Sequence, residues 1–211
     1  MVLYRYRVYG VVLESEVPLP ELQRAKEPDA TLQHVRLSVG KPKPNRLHKG
    51  LVAVGGLGYR YDRVSETATV YAPQVGSFGI RLRERQIEWS PSPGPSRDLA
   101  RVVLRGRVLG FLLSHMGEAL LLHGNSVAGN QGAIVFCGAR GQGKSTLASS
   151  FLERDFSLVC DDVTVMDQRR GVFRVQPGPP EIRLWPRSLS RIDDGNAQSA
   201  PVYPETLKRR L

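Results

Sequence analysis

Residues 132–162 read GAIVFCGARGQGKSTLASSFLERDFSLVCDD, and this stretch places a glycine-rich loop between a predicted strand and a predicted helix. The loop, residues 138–145, fits the pattern G-x-x-x-x-G-K-[ST], whose glycines let successive backbone N–H groups surround phosphate oxygens. Before it, residues 133–137 form an apolar run short enough for a buried strand. After it, residues 144–153 keep helical spacing without proline. This order predicts a phosphate site at a helix N-terminus, where the partial positive charge of the helix assists binding.

The end of the loop supplies two side chains for phosphate and metal binding. Lys144 should reach the terminal phosphates, and the Ser145 hydroxyl should join the coordination sphere of a magnesium ion carried by the nucleotide. The residues expected to contact the nucleotide are Gly138, Ala139, Arg140, Gly141, Gln142, Gly143, Lys144, Ser145 and Thr146. The alternative is a glycine-rich turn in a binding protein that never meets a nucleotide.

Two adjacent carboxylates follow the next predicted strand. Residues 156–160 read as a second buried strand, and Asp161 and Asp162 follow directly at its carboxyl end. Ligands of open α/β sheets bind at that end of the strands, so the pair is suited to proton and metal chemistry. In many P-loop nucleotidases the acidic strand comes much later in the chain. Here the two aspartates lie close to the loop, which points to one subgroup of the P-loop nucleotidases.

Further motifs surround the loop, and the match that they form covers residues 118–188. These motifs are Leu122-His123-Gly124, Val159-Cys160-Asp161-Asp162, Pro180-Glu181-Ile182-Arg183 and Leu184-Trp185-Pro186. Together with the loop they resemble the catalytic core of HPr kinase/phosphorylase and its looser relatives, including the HPr-kinase-like proteins encoded beside lasso-peptide pathways. The resemblance implies a P-loop kinase that uses ATP and Mg2+ to phosphorylate a Ser or other hydroxyl on a peptide or protein.

The resemblance also implies roles for single residues. Lys144 binds phosphate, while Ser145 and Glu181 hold magnesium. Asp162 accepts the proton from the substrate hydroxyl, and Asp161 is expected to act mainly through geometry or the outer shell of the metal. For Glu181 the alternative is a solvated surface carboxylate.

His123 matches an active-site histidine of the family, and Arg183 matches an arginine near the phosphates. For His123 the alternative is a satisfied structural residue. The sequence departs from the family at Arg140, where a serine is usual, and at Leu211, where the chain stops before the family's catalytic domain would end. We therefore expect a C-terminally incomplete domain that alone binds Mg-ATP no tighter than about 10–100 μM and shows little kinase activity.

The composition favours a soluble protein with its own core. Of the 211 residues, 41% are hydrophobic, and no run approaches the about 20 apolar residues of a spanning helix. The N-terminus lacks the apolar block of a signal peptide, so we expect a cytoplasmic protein without membrane contact. Cys137 and Cys160 fall in the predicted strands and are expected to be inert core thiols in a reducing compartment, without a structural metal.

The formal charge of +10 reflects 30 Lys and Arg residues that are scattered from Arg5 to Arg210. Because they are not gathered with aromatic residues on one element, we do not expect nucleic acid as a partner. Diffuse basicity also suits a nucleotide or an acidic peptide segment. The oligomeric state is not readable from the sequence, and a homo-oligomer stays open.

The first part of the chain reads as β-rich. Alternation and β-propensity predict strands at residues 4–10, 35–39, 59–64, 67–71 and 80–89. A proline-rich linker at residues 90–96 then leads into a helix from Arg97 to about Met116, with Ser96 as its N-cap and His115 as a surface residue near its end. We expect a β-rich domain at residues 1–94 and a nucleotide-binding domain at residues 95–211.

Two hairpins are predicted around the loop. Residues 118–127 should pair with the strand before the loop through a turn at residues 129–132, which brings His123 alongside the loop. Residues 163–166 should pair with residues 172–175, and the chain from Ser190 onward reads as a short helix or a partly ordered tail.

The expected fold is therefore α/β, an HPr-kinase-like P-loop core preceded by a β-rich N-terminal domain. The leading function is an ATP-dependent serine kinase, in which positioning and charge neutralisation carry most of the phosphoryl transfer. Two alternatives remain open. One is a nucleotide-binding regulatory or adaptor module without phosphotransfer activity, and the other is a nucleic-acid-binding ATPase.

Overall fold

The fold is sheet-rich and mixed, with strands in 47% and helices in 17% of the chain. The computed structural model describes residues 2–25, 31–42, 50–54, 56–117, 119–139, 141–179, 181–184, 200–201 and 209–210. Outside these residues lie the predicted features at Arg140, Pro180, Trp185 and Pro186, and most of the tail from Ser190. No helix in the described part of the chain is long and apolar enough to cross a membrane.

The chain divides into two compact units, and the helix predicted to begin the second domain belongs to the first unit. The sequence predicted a boundary after residue 94. The helical segment stays with the strands before it because Phe111 packs edge-on against Tyr61, with ring centroids 5.7 Å apart. The two units are residues 1–20 with 24–117, and residues 21–23 with 118–211.

The first unit is built on a nine-stranded sheet in the order β3-β1-β2-β4-β9-β8-β7-β6-β5, although Gln23 of β3 is assigned to the second unit. Its strands are β1 (Tyr4–Val8), β2 (Val11–Ser15), β3 (Gln23–Arg24), β4 (Gln33–Val39), β5 (Val52–Val54), β6 (Leu57–Asp62), β7 (Thr67–Ala72), β8 (Gly76–Arg81) and β9 (Gln86–Pro91). Strand β4 runs parallel to both of its neighbours, β2 and β9. The hairpins β5–β6, β6–β7, β7–β8 and β8–β9 are antiparallel.

The two faces of this sheet differ in polarity because successive side chains of a strand point to opposite sides. On the polar face, Arg5, Glu14 and Arg36 form one cross-strand row, and Arg5 Nε lies 3.1 Å from Glu14 Oε1. The strands predicted at residues 4–10 and 35–39 are present as β1 and β4, but β1 ends at Val8, because Tyr9 adopts a positive φ of 53° at the turn into β2. The other face is the core, with Tyr6, Leu13, Val35, Leu37, Phe78, Ile80 and Ile87 fully buried.

One strand prediction in this unit is wrong. The run at residues 80–89 is not a single strand but the end of β8, a turn and the start of β9. The turn forms because the Arg85 N–H donates to the Leu82 carbonyl at 3.2 Å and Arg85 adopts a positive φ of 52°. The apolar alternation stops at Leu82, because residues 83–86 are all polar, and it resumes in the opposite phase at Ile87.

The helical segment of the first unit contains a π-helical turn. It consists of α1 (Arg97–Val103), the π-helical segment (Leu104–Val108) and α2 (Leu109–His115). The predicted N-cap is confirmed, because the Ser96 side chain accepts a hydrogen bond from the Leu99 N–H at 3.3 Å. His115 is exposed at the end of α2, as predicted, and its ring stacks on Phe111 with centroids 4.5 Å apart.

The second unit contains the elements predicted around the glycine loop. They are β10 (Leu120–Gly129), β11 (Gly132–Cys137), α3 (Lys144–Leu152), β12 (Ser157–Cys160), β13 (Val163–Arg169) and β14 (Val172–Gln176). A separate small sheet is formed by β15 (Arg183–Leu184), β16 (Ala200–Pro201) and β17 (Arg209–Arg210). Both predicted hairpins, β10–β11 and β13–β14, are confirmed by their antiparallel ladders.

The core of the second unit is small, and β11 is not the buried strand that the sequence predicted. Val127, Ala148 and Ile182 form the buried cluster, with partly buried Phe136, Phe151, Leu152, Phe156 and Leu158 packed against it. Ile134 is 38% exposed and Cys137 is also exposed. The physical reason is the position of β11 at one end of the described sheet, so only β10 flanks it there. The prediction of an inert core thiol is therefore wrong for Cys137.

Candidate functional site

The strand directions bring the glycine loop and the two aspartates to one edge of the sheet. Both β11 and β12 run antiparallel to β10, so they run parallel to each other. Cys137, the last residue of β11, pairs with Gly124, and Cys160, the last residue of β12, pairs with Ser126. The residues that follow each strand therefore meet around residues 123–126 of β10, as the carboxyl ends of parallel strands do.

The two aspartates occupy an interruption in one long strand. Ser126 pairs with Cys160 at the end of β12, and His123 pairs with Val163 at the start of β13, both antiparallel to β10. Asp161 and Asp162 lie between these two ladders. The pairing with β10 is therefore interrupted at the two residues that carry the carboxylates.

The backbone of the interruption is held in an unusual turn. The Val163 N–H donates to the Asp161 carbonyl at 2.9 Å, which closes a three-residue turn centred on Asp162. Asp162 has a φ of 71°, in the left-handed region that non-glycine residues rarely adopt. Such a conformation costs about 1–3 kcal/mol and is typically found at active sites and ligand clamps. On strand β10, opposite this turn, the Gly124 carbonyl accepts a hydrogen bond from the buried Thr164 hydroxyl at 3.1 Å. The carbonyl therefore has a partner although it is buried.

Asn125, Ser145 and Asp161 form a polar triangle behind the glycine loop. The Ser145 hydroxyl donates to Asp161 Oδ1 at 3.3 Å, and Asn125 Nδ2 donates to Ser145 Oγ at 3.2 Å. Asn125 Nδ2 also donates to Asp161 Oδ1. Asn125 is 1% exposed and Asp161 is 6% exposed, so the carboxylate is held largely out of water.

His123 lies on the open side of the site, next to Asp162. Its Nδ1 is 3.0 Å from the Asp162 carbonyl oxygen and 3.4 Å from Asp162 Oδ1. Both side chains are about half exposed, at 53% for His123 and 41% for Asp162. The two adjacent carboxylates thus differ, because Asp161 points into the protein and Asp162 can meet a substrate from solvent.

The glycine loop is closed on itself. Lys144 Nζ donates to the carbonyls of Gly138 at 2.9 Å and Ala139 at 3.0 Å. Gln142 Oε1 accepts a hydrogen bond from the Ala139 N–H at 2.9 Å. Gly143, at the N-cap of α3, has a φ of 80° that a side chain would strain. Two of the groups that a phosphate would bind, Lys144 Nζ and the Ala139 N–H, therefore already have partners within the loop.

The remaining predicted residues lie near α3. Thr146 is in its first turn, where its carbonyl accepts a hydrogen bond from Ser149 Oγ at 2.8 Å. Glu181 is 8% exposed and precedes the core residue Ile182, so the alternative of a solvated surface carboxylate is wrong. The backbone of Arg183 begins β15, which lies against α3.

The site offers hard oxygen atoms, which are the donors that magnesium prefers. Within the described residues, no three His, Cys, Asp or Glu side chains come together as a metal cluster. Ser145 Oγ and Asp161 Oδ1, 3.3 Å apart, are two hard oxygens. Magnesium at a nucleotide takes one or two such protein oxygens together with phosphates and waters.

The two cysteines differ in their environments. Cys160 is buried and its Sγ donates to the Gln176 carbonyl at 3.1 Å. Burial raises the pKa of the Cys160 thiol, which keeps it protonated. Cys137 is exposed at the end of β11, directly before the loop.

No family model, curated protein or solved structure matches this chain. The likeness to HPr-kinase-like proteins therefore stays a prediction from the motifs.

Asn125 is the site residue that the sequence reasoning missed. It follows the His123-Gly124 pair of the motif but has no role in the motif itself. The signal was available, because an amide within the largely apolar run of a predicted strand has to find hydrogen-bond partners when it is buried. Its partners, Ser145 and Asp161, come from other elements and could not be read from the chain order.

Proposed function

We propose that the second unit binds Mg-ATP and transfers the γ-phosphoryl group to a Ser or other hydroxyl on a peptide or protein. The observation that carries the proposal is the contact of Ser145 Oγ with Asp161 Oδ1 at 3.3 Å, directly behind the glycine loop. A hydroxyl that follows the loop lysine and a carboxylate that follows a neighbouring parallel strand are the pair with which P-loop nucleotidases hold magnesium.

In this proposal Ser145 and Asp161 hold the metal, whereas the family resemblance implied Ser145 and Glu181. Magnesium, when bound, neutralises charge on the phosphate oxygens. Asp161 is favoured because its carboxylate already contacts the Ser145 hydroxyl. Glu181 is buried beside the core residue Ile182 and stays a predicted ligand.

Lys144 and the loop amides bind the phosphates. To do so, Lys144 Nζ exchanges the carbonyls of Gly138 and Ala139 for phosphate oxygens, and the Ala139 N–H exchanges Gln142 Oε1 for the same ligand. A phosphate oxygen carries negative charge, whereas the carbonyls and the amide oxygen that it replaces are neutral, so it is the stronger acceptor for both donors and the exchange is favourable.

Asp162 accepts the proton of the acceptor hydroxyl. It is suited to this role because its carboxylate is 41% exposed while its backbone is fixed by the three-residue turn. His123, with Nδ1 3.4 Å from Asp162 Oδ1, holds the carboxylate in place. Fixing the base and the phosphates before reaction supplies most of what phosphoryl transfer needs.

One observation favours a second candidate, a nucleotide-binding regulatory module without phosphotransfer. The loop bonds of Lys144 and Gln142 have to be displaced before a phosphate binds. A loop that prefers its own closed state binds nucleotide more weakly, and a protein can use such a state as a switch rather than as a catalyst.

The test is a phosphotransfer assay with three variants. Purified protein is incubated with Mg-ATP and a Ser-containing acidic peptide, and phosphopeptide and ADP are measured together with ATP affinity by calorimetry. Lys144→Ala should lose ATP affinity. Asp162→Asn should keep ATP affinity but transfer phosphate about 100-fold more slowly or worse, because an amide cannot accept the proton. Asp155→Asn is the matched control, since Asp155 also has a positive φ, 61°, but lies in an exposed turn after α3.

Each outcome separates the candidates. Transfer by the parent and by Asp155→Asn but not by Asp162→Asn supports the kinase. ATP binding that depends on Lys144 without transfer to any peptide supports the regulatory module. Equal ATP affinity in the parent and Lys144→Ala contradicts both.

A further inference from the structure

We infer that Asn125 is a positioning residue for the magnesium end of the site, which orients the Ser145 hydroxyl and the Asp161 carboxylate so that both can ligate the ion. This inference rests on the proposed function. It starts from the two hydrogen bonds that Asn125 Nδ2 donates, to Ser145 Oγ at 3.2 Å and to Asp161 Oδ1.

The orientation of the amide follows from its partners. The alternative amide orientation would set Asn125 Oδ1 against the Asp161 carboxylate, two acceptors facing each other without a proton between them. With Nδ2 in that position, both amide protons are used, one on each partner.

This arrangement fixes the rotation of the Ser145 hydroxyl. Because Nδ2 has no lone pair, Ser145 Oγ must accept the proton from Asn125. The Ser145 proton therefore points to Asp161 Oδ1, which is 3.3 Å away. One lone pair of Oγ remains, and it is free for a cation. Without Asn125 the hydroxyl can rotate and present its proton, rather than a lone pair, to the metal.

Burial makes the amide hard to replace by solvent. Asn125 is 1% exposed and Asp161 is 6% exposed, so water cannot readily take over the donor role. A carboxylate taken out of water needs hydrogen-bond donors for its oxygens, and Asn125 Nδ2 supplies one to Asp161 Oδ1. The strand β10 adds rigidity, because Asn125 is paired with Phe136 of β11 in its ladder.

The experiment measures ATP affinity with magnesium and with EDTA. The ratio of these two affinities is called the magnesium effect below. Asn125→Leu removes the donor at similar volume, and Asn125→Ser keeps one hydroxyl donor. The control is Asn130→Ala in the exposed β10–β11 turn. We expect Asn125→Leu to lose about 10- to 100-fold of the magnesium effect, as is usual when residues that orient metal ligands are changed. Its affinity in EDTA should stay within about twofold of the parent, because the phosphate contacts of the loop are untouched.

A double-mutant cycle then tests whether Asn125 acts through Ser145. In a protein that already carries Ser145→Ala, adding Asn125→Leu should reduce the magnesium effect by less than about twofold, which is the scatter expected for independent sites. The same change in the parent should have the much larger effect given above. Asn125→Ser should fall between the parent and Asn125→Leu, which keeps the test usable if the leucine variant does not fold.

Two results overturn the inference. If the Asn125 variants keep the full magnesium effect, or lose affinity equally with magnesium and with EDTA, Asn125 does not position the metal ligands. If the parent itself binds ATP without any magnesium effect, or does not bind ATP, the proposed function fails as well. In the first case the parent protein still binds ATP more tightly with magnesium than with EDTA, and in the second case it does not, so the two failures are distinguishable.

Discussion

Gly124→Ala tests how closely β10 and β11 approach each other beside the site. A Cβ at Gly124 would lie 2.6 Å from the Phe136 carbonyl oxygen and 3.2 Å from Cys137 Sγ. The nearer contact is with backbone, so no side-chain rotation relieves it. To reach an ordinary contact of 3.4 Å, the two atoms must separate by 0.8 Å.

The size of the effect follows from this overlap. Forcing an extra methyl group into a packed site costs about 1–3 kcal/mol. For a unit of about 100 residues this lowers the Tm by roughly 5–20 °C. Because Phe136 and Cys137 lead directly into the glycine loop, the same shift should also weaken ATP binding.

The assay is thermal unfolding followed by circular dichroism, together with ATP calorimetry. The matched control is Gly79→Ala, another strand glycine, whose Cβ would meet its nearest heavy atom, Glu88 O, at 4.0 Å. This control should be neutral, or stabilising by up to about 1 kcal/mol because the unfolded chain loses freedom. A Gly124→Ala protein that melts together with the parent and with Gly79→Ala would refute the close approach of the two strands.

Three further predictions concern the loop, the cysteines and the strained turn. Gln142→Ala frees the Ala139 N–H and should tighten ATP binding about two- to tenfold by calorimetry, since one neutral hydrogen bond contributes about 0.5–1.5 kcal/mol; unchanged or weaker binding contradicts the closed loop. A thiol reagent should label Cys137 well before Cys160, because Cys160 is buried and burial raises its pKa; mass spectrometry showing equal rates contradicts this. Asp162→Gly should raise the free energy of unfolding by about 1 kcal/mol, because glycine adopts positive φ without strain, while phosphate transfer falls; a lower Tm with full transfer contradicts both the strain and the role.

The sequence was informative where local chemistry decides structure. Helix α3, the β10–β11 turn and the Ser96 cap each depend on residues within a few positions, and each appears as predicted. The turn between β8 and β9 was missed because alternating apolar residues occur on both sides of it, although residues 83–86 between them are all polar.

The features that the sequence did not reveal depend on neighbours distant in the chain. The exposure of Cys137 is decided by which strand lies beside β11, and an apolar run does not carry that information. The same holds for Asn125, whose partners Ser145 and Asp161 come from α3 and from the residues after β12. The positive φ of Asp162 also escaped prediction, since aspartate followed by valine is not a turn signal of its own.

Strand β10 also has a consequence for how the second unit folds. It is the common partner of β11, β12 and β13, so the glycine loop and the aspartates are attached to three ladders that share one strand. Segments that depend on one element tend to open together as a cooperative unit. The amides of these four strands should therefore exchange with solvent deuterium at a common opening free energy, and opening of β10 should dismantle the nucleotide site in a single step rather than piece by piece.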